Sequence, residues 1–271
     1  MRGAPLMLLV LAACGRLGFP GESGSPPGLD AAAAPPPDAR PTPPTDYAAR
    51  FRFDENTGTR ALSDGAQLVG TLGAGVGWAP GHHGSAIAFD PASTGAVDVG
   101  DAAALRQTGS MTLSVWYYLV ATPGACATLA IHGGPNGSGA NGNALYGLSL
   151  GGGSALWYQE AGAQIGTTTA VTLPATATAL RVWHHVAAVR AATAVDASTL
   201  VIYVDGVAAP AVAIGLPTGG TAGTLRLGRD VEDGGACSTP IPAFLDELTL
   251  YPRALTPDEI ALLGAGDPPV P

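Results

Sequence analysis

The sequence predicts an all-β protein, a two-sheet antiparallel sandwich closed by one short C-terminal helix. Three observations carry that prediction. Short apolar runs recur along the chain, some alternating with period two and some apolar on both faces, as strands do. Between them lie many of the 39 Gly and 24 Pro among 271 residues, which read as turns. Strand patterns follow one another without intervening helical patterns, so the sheets are not of the parallel βαβ kind.

Taken in order, the folded part begins at Asp46. Tyr47, Ala49, Phe51 and Phe53 alternate with Ala48, Arg50 and Arg52, as in a half-buried strand, and residues 54–58 (DENTG) end it with turn chemistry. Short strands are expected at 68–72, 86–89 and 96–99. Residues 110–120 (SMTLSVWYYLV) place Met111, Leu113, Val115, Tyr117 and Leu119 on one face, with Trp116 and Tyr118 on the other. Both faces are largely apolar, which suits a strand inside a sandwich. Further strands fit 128–132, 145–150, 155–159, 169–173 and 224–227. Residues 183–207 read WHHVAAVR, a polar connection at 191–198, then TLVIYVDGV. This predicts two long antiparallel strands and a tight return at Asp205-Gly206, a dipeptide that tolerates the positive φ of a type I′ turn. Residues 243–251 (AFLDELTLY) form the last strand. Thr256, Pro257 and Glu259 then supply an N-cap, a first-turn proline and a capping-box acid for a helix ending near Gly264.

Four of these stretches resemble, in order, the motifs of the laminin-G-like (concanavalin-A-like lectin/glucanase) jelly-roll family. They are GSAIAFD (84–90) followed by Val97-Asp98-Val99, MTLSVW (111–116), WHHVA (183–187) with Tyr203-Val204-Asp205-Gly206, and LDELTLYPRALTPDEI (245–260). The resemblance spans 46–264 and implies a jelly-roll domain there. Pro91 stands where the family often has Gly, which implies a longer turn. Many such sandwiches hold one Ca²⁺ where the first and last strands meet. The resemblance therefore implies a structural Ca²⁺ on Asp54 and Asp246, with Glu55 and Asn56 able to add oxygens. Read from the residues alone, Asp54 also suits an Asx-turn, and Asp246 a cap on a buried backbone group.

The N-terminus reads as an address. Met1-Arg2 and the apolar residues 6–11 form a signal peptide too short to span a bilayer, and Leu11-Ala12-Ala13-Cys14 matches a bacterial lipobox. Removal of 1–13 and lipidation of Cys14 are expected, since several acyl chains anchor firmly where one does not. An ordinary secretory signal is the alternative. Gly15, with no Asp after the Cys, favours the outer membrane or cell surface over the inner membrane. Residues 14–45 are Pro-, Ala-, Gly- and Ser-rich and read as a disordered tether, and 265–271 as a flexible tail. Cys126 and Cys237 remain, in an exported protein most simply a disulfide, or else two free thiols. The bond would close a loop of about 110 residues, worth roughly 4–5 kcal/mol in chain-entropy terms.

A formal charge of −9, with 12 basic residues that are all Arg, argues against a nucleic-acid partner. The family fold also hosts glycosidases, which need two carboxylates on one strand face. Asp246-Glu247 are adjacent, point to opposite faces, and have no acid following at the right spacing, so no catalysis is expected. His184-His185 on a strand cannot share one ion and read as framework; His82-His83, in a Gly-flanked turn, reads as exposed surface. The expected function is a membrane-anchored, non-catalytic module that binds polysaccharide or glycoconjugate. A protein-binding adhesion or structural surface role is the alternative, and a glycoside hydrolase a weaker one. Candidate ligand residues are Tyr146, Trp157, Tyr158, Gln159, Asn141 and Asp230, with Trp157 and Tyr158 on opposite faces of one strand. Trp116, Trp183 and Tyr203 are expected in the core, while Trp78 fits either place.

Overall fold

The computed structural model describes residues 42–64, 67–124, 126–134, 144–161, 164–217, 223–231 and 240–265. Among them run seventeen strands and one α-helix. The first six strands are β1 (Ala49–Phe51), β2 (Arg60–Asp64), β3 (Val69–Leu72), β4 (Val76–Pro80), β5 (Ser85–Phe89) and β6 (Val97–Gly100). Then come β7 (Met111–Leu119), β8 (Ala127–Gly133), β9 (Tyr146–Gly151), β10 (Ser154–Ala161) and β11 (Gln164–Thr172). The long hairpin is β12 (Trp183–Ala194) and β13 (Ala197–Val204), followed by β14 (Val207–Ala208) and β15 (Val212–Gly215). The chain ends through β16 (Thr224–Leu227), β17 (Ala243–Tyr251) and α1 (Pro257–Ala265).

All pairings are antiparallel and sort into two sheets. One runs β4-β5-β17-β7-β12-β13, with β14 and β15 on β13 and β1 on the other end of β17. The other runs β11-β10-β9-β8-β16-β6-β3. Strand β2 pairs with β1 of the first sheet and β3 of the second, so it turns the corner between them. The predicted all-β sandwich is thus the observed one. Its core interdigitates Leu113, Val115 and Tyr117 of β7, Val186 and Ala188 of β12 and Leu248 and Leu250 of β17 with Leu148, Leu150, Trp157, Leu225 and Leu227 of the opposing sheet. At roughly 25 cal/mol per Å² of apolar area, this burial is the main favourable term of folding.

A second cluster lies outside the first sheet. Ile260 of α1 and Leu255 pack on Ala187, Val189, Tyr203 and Tyr251, which point away from the core. The predicted capping box holds α1 in place: the Thr256 hydroxyl accepts from Glu259 N–H at 3.3 Å, and Glu259 accepts from Thr256 N–H at 2.8 Å. Arg253 grips Glu259 and Asp46, tying the helix start to the beginning of the domain.

The hairpin read at 183–207 differs from expectation in one respect. Residues 191–198 are no loop: the register continues to Ala194↔Ala197, so the reversal occupies only Val195 and Asp196. Ladder hydrogen bonds outweigh the modest polarity there, since an edge face can stay wet. The return at Asp205-Gly206 forms as predicted, with φ of 49° and 77° and Val204 paired to Val207. Strands β2, β4 and β15 had no sequence signal, because Gly, Pro or charged residues break their patterns and they pair near the sheet margins.

Candidate functional site

Two places hold the chemistry-bearing residues. The first is the four-residue loop 81–84 between β4 and β5, onto which, with Ser85, Asp54 and Asp246 both converge. Asp54 Oδ1 accepts from Ser85 N–H at 3.1 Å, and Asp246 Oδ2 accepts from His83 N–H at 3.0 Å. Each carboxylate follows or precedes a strained residue: Phe53 has φ 61° and Glu247 φ 49°, the latter in a bulge where β17 slips register against β7. Bulges of this kind re-aim side chains next to functional sites. The loop needs glycine. A Cβ on Gly84 would lie 1.9 Å from Asp54 Oδ1, and one on Gly81 would lie 2.5, 2.6 and 2.7 Å from the carbonyls of His83 and Ser85 and from Asp246 Oδ2. Oxygens therefore converge on a small cradle.

Asp246 is completely buried, and desolvation pushes its carboxyl up to about 8. Such a carboxylate is costly unless it is protonated or meets a cation. The cradle fits Ca²⁺ in donor type, two carboxylates with backbone carbonyls. Among the described residues no cluster of three or more His, Cys, Asp or Glu converges on one point, so carbonyls would complete the set. Glu55 serves β2 instead, its Oε1 accepting from Leu62 N–H at 2.7 Å, and Asn56 is exposed in a left-handed turn. The other acid of the pair, Glu247, is taken by Arg50 at 2.8 Å.

The second place is an aromatic strip on the outer face of the first sheet. Alternation along β7 turns Trp116 and Tyr118 outward, opposite His185 and Trp183 of β12. His82 stacks on Trp116 (centroids 3.6 Å apart, 14°) and meets Trp183 edge-on at 6.0 Å. Tyr118 contacts Trp183 and stacks on Phe244 of β17. Beside this strip opens a cleft of about 500 Å³ between His82, Trp116, Trp183, Asp205 and the C-terminal turn of α1 at Ala261 and Gly264. That volume falls in the range of small-ligand sites, roughly 300–1,000 Å³.

Asp205 shapes the rim. Its Oδ1 accepts from His185 N–H at 2.9 Å, and its Oδ2 lies 2.8 Å from His184 Nδ1. Ser114 Oγ is 2.8 Å from the other histidine, at His185 Nε2. Ser, His and Asp are thus close, yet they do not form a relay: the serine meets His185 and the carboxylate side-chain bond goes to His184, on the opposite strand face. The two histidines do face opposite ways, as expected for neighbours on a strand. Burial pushes His185 and His82 down to about 4, so both are neutral.

Several expected site residues lie elsewhere. Trp157 and Tyr146 are fully buried between the sheets, and Gln159 is 2 % exposed. Their role as an exposed stacking platform is corrected, because the odd-numbered positions Trp157 and Gln159 of β10 face inward and every residue of β9, Tyr146 included, is buried. The three make internal bonds instead. Gln159 Oε1 accepts from Trp157 Nε1 at 2.9 Å and from the buried Arg190 at 3.1 Å, and Tyr146 donates to Leu105 O. Arg190 further donates to the carbonyls of Gln107, Gly109 and Leu145. Tyr158 does point outward, its hydroxyl 2.8 Å from Cys126 Sγ. Burial first, then the nearby Asp230 charge, raises its phenol pKa, so Tyr158 and Asp230 are brought together on the second sheet. Asn141, Cys237 and Cys14 lie outside the described residues. His82 and His83 are half-buried and not open surface, since His82 covers Trp116. Trp116 and Tyr203 are buried, but on the outer face of the first sheet and not between the sheets where they were expected, and Trp183, also expected in the core, is half-buried on that face. Trp78 is half-buried on β4, its Nε1 donating to Gly58 O. The outward tryptophan cluster was missed because the strands carrying it are apolar on both faces.

The fold and motifs together define the class: the chain belongs to the concanavalin A-like lectin/glucanases superfamily, whose laminin-G-type family model matches residues 91–261. No curated protein sequence matches it. Among solved structures it is similar to Trypanosoma rangeli sialidase, solved with a difluoro-nononic acid (17% identity, TM-score 0.63, covering 86% of this chain and 35% of that one). It is also similar to the binding domain of Paraclostridial Mosquitocidal Protein 1 (14%, 0.59, 81% and 52%). A third likeness is domain 4 of AbnA, an extracellular arabinanase of Geobacillus stearothermophilus, in complex with arabinotriose (18%, 0.56, 81% and 98%). At these identities the likeness is one of fold. The chain spans about half of the mosquitocidal binding domain and about a third of the sialidase.

Proposed function

We propose that this protein is a non-catalytic, lipid-anchored binding module that recognises carbohydrate or glycoconjugate. One observation carries the reading: an open cleft walled by aromatic rings, with a carboxylate on its rim, on an otherwise well-packed sandwich. Sugar C–H faces stack on such rings, and side-chain acceptors fix their hydroxyls. Similar structures include complexes with arabinotriose and with a difluoro-nononic acid, which supports a glycan ligand on this fold. Charged pairs near the cleft serve structure: Glu247 is committed to Arg50, and Asp246 to backbone N–H groups. The loop 81–84, which carries His82 of the strip, would take one Ca²⁺ with Asp54 and Asp246 and hold that end of the cleft rigid.

The reading includes cleavage before Cys14, lipidation of that residue, exposure at the outer membrane or cell surface, and a Cys126–Cys237 disulfide. Binding of the full chain to a glycan array, with and without Ca²⁺, tests the ligand class. Retention of defined glycans, lost in Trp183→Ala, is expected; silence across neutral, amino and acidic glycans overturns the reading. Radiolabelled palmitate incorporation that disappears in Cys14→Ser checks the anchor, and non-reducing peptide mapping checks the disulfide.

A further inference from the structure

Resting on the glycan reading above, we propose that the cleft selects sugars bearing a free, protonated amine, such as de-N-acetylated hexosamine units, and rejects sugars bearing carboxylates, with Asp205 as the selecting residue.

The polar character of the cleft is one-sided. Asp205 is the one charged side chain among the described residues that line it, and its side chain is 43 % exposed. Its two oxygens each hold one internal partner, His185 N–H and His184, and a carboxylate has about four lone-pair positions, so outward ones remain for a ligand. The opposite wall is the last turn of α1, Ala261 to Ala265. The final carbonyls of a helix lack intrahelical partners and carry its negative dipole end. The indole rings add a third contribution, since their faces attract cations. Beneath Gly264 sits His185, fully buried, its Nδ1 without a partner and 3.3 Å from where a Gly264 Cβ would stand. None of the described lining residues is a lysine or arginine, and Asp205 meets His184 Nδ1 only on its inner side. A carboxylated sugar therefore meets repulsion from Asp205 and from the helix end across the cleft. An ammonium on a stacked sugar meets a charge-assisted bond to Asp205, roughly twice as strong as a neutral one.

Asp205→Asn is the informative variant. Asn-Gly suits the same type I′ turn, and its carbonyl can still accept from His185 N–H, so the hairpin is retained while the charge is lost. The test is isothermal titration of the full chain with three oligosaccharides of equal length: a chitosan oligomer (free amine), a chitin oligomer (acetylated, neutral) and an oligogalacturonate (carboxylated). The free-amine oligomer should bind about tenfold tighter than the acetylated one, a difference of about 1.4 kcal/mol, and the uronate should not bind. Asp205→Asn should bring the first two within about twofold by removing the charge-assisted component. Equal binding of the amine and acetylated oligomers, or tightest binding of the uronate, overturns the selectivity while leaving a glycan site. A preference for the amine that survives Asp205→Asn places it in the overall negative charge and overturns the assignment. Failure of all three oligomers together with a silent array removes the glycan reading and this inference with it.

Discussion

Trp157 and Trp183 lie on neighbouring layers of one sandwich and do opposite work. Trp157 is sealed between the sheets, with its indole N–H bonded to Gln159 and through it to Arg190. Trp183 stands on the outer face, its ring against Tyr118 and His82, beside an open cleft. Tyr117 and Tyr118 repeat the contrast one residue apart: Tyr117 donates to Ala177 O inside, and Tyr118 stacks on Phe244 outside. A polar tip satisfied internally marks an aromatic that stabilises the fold. Rings stacked upon each other at a surface mark one that can offer a face to a ligand. Burying a polar atom requires a partner, and a ring left half-exposed does not.

The comparison breaks most sharply at Trp157. Trp157→Ala should cost about 3–5 kcal/mol, from lost burial and the cavity left behind, with Gln159 Oε1 losing one of its two donors. Urea unfolding should show a lower midpoint at similar slope. A loss below about 1 kcal/mol, the size expected of a surface change, would mean the ring is not sealed in the core.

The loop 81–84 should respond next, through calcium. Ligand binding to the folded state alone stabilises by about 2.7 kcal/mol at a hundredfold excess over Kd. Thermal unfolding should therefore shift upward with Ca²⁺ in the wild type and not in Asp246→Ala. Because a proton competes with the ion for Asp246, the affinity should rise as pH goes from 6 to 8. An affinity flat across that range would show that Asp246 is not a ligand.

A smaller and distinct effect follows for stability without the ion. Asp246 is raised from 3.8 to about 8, so the folded state holds its proton more tightly than the unfolded chain does. Its contribution is full below about pH 4 and declines as pH rises towards 8. His82, His132 and His185 are lowered from 6.5 to about 4 by burial. Their contribution is present above pH 6.5 and is lost as pH falls towards 4. Three protons outweigh one on the acid side, so stability should peak between about pH 6 and 7. Chelated protein, followed by denaturation at each pH, gives the profile, and Asp246→Asn should flatten its alkaline limb and steepen its acid limb.

Much of this was legible in the chain, but unevenly. The strand at 110–120, the Asp205-Gly206 turn and the Thr256–Glu259 cap depend on local pattern, and each formed where expected. Asp54 and Asp246 are paired in the sequence only through the family resemblance, and both reach the turn between β4 and β5. The bulge at Glu247 that aims Asp246 could not, since a non-glycine residue at φ 49° leaves no sequence mark. The cleft was invisible for a different reason. Period-two reading says that Trp157 and Tyr158 face opposite ways, not which way is in. On β7 and β12 both faces are apolar, because α1 and the aromatic strip cover what would otherwise be the wet side. Only the position of the helix, far along the chain, decides where that cover ends and a site begins.

Trp183→Ala is the smallest change in stability and the most telling in function. The ring is half-buried and packs on Tyr118 and His82 without belonging to either buried cluster. Its removal should cost less than about 1 kcal/mol, of the order of one aromatic pair contact. Binding should suffer far more, because stacking on a ring is worth roughly 1–3 kcal/mol when it contributes to a ligand site, by analogy with bases on aromatics. A variant with near-native unfolding and at least tenfold weaker glycan binding would separate the two roles of aromatics in this sandwich. Near-native binding together with lost stability would place Trp183 with Trp157, as core, and would move the site to Tyr158 and Asp230 on the other sheet.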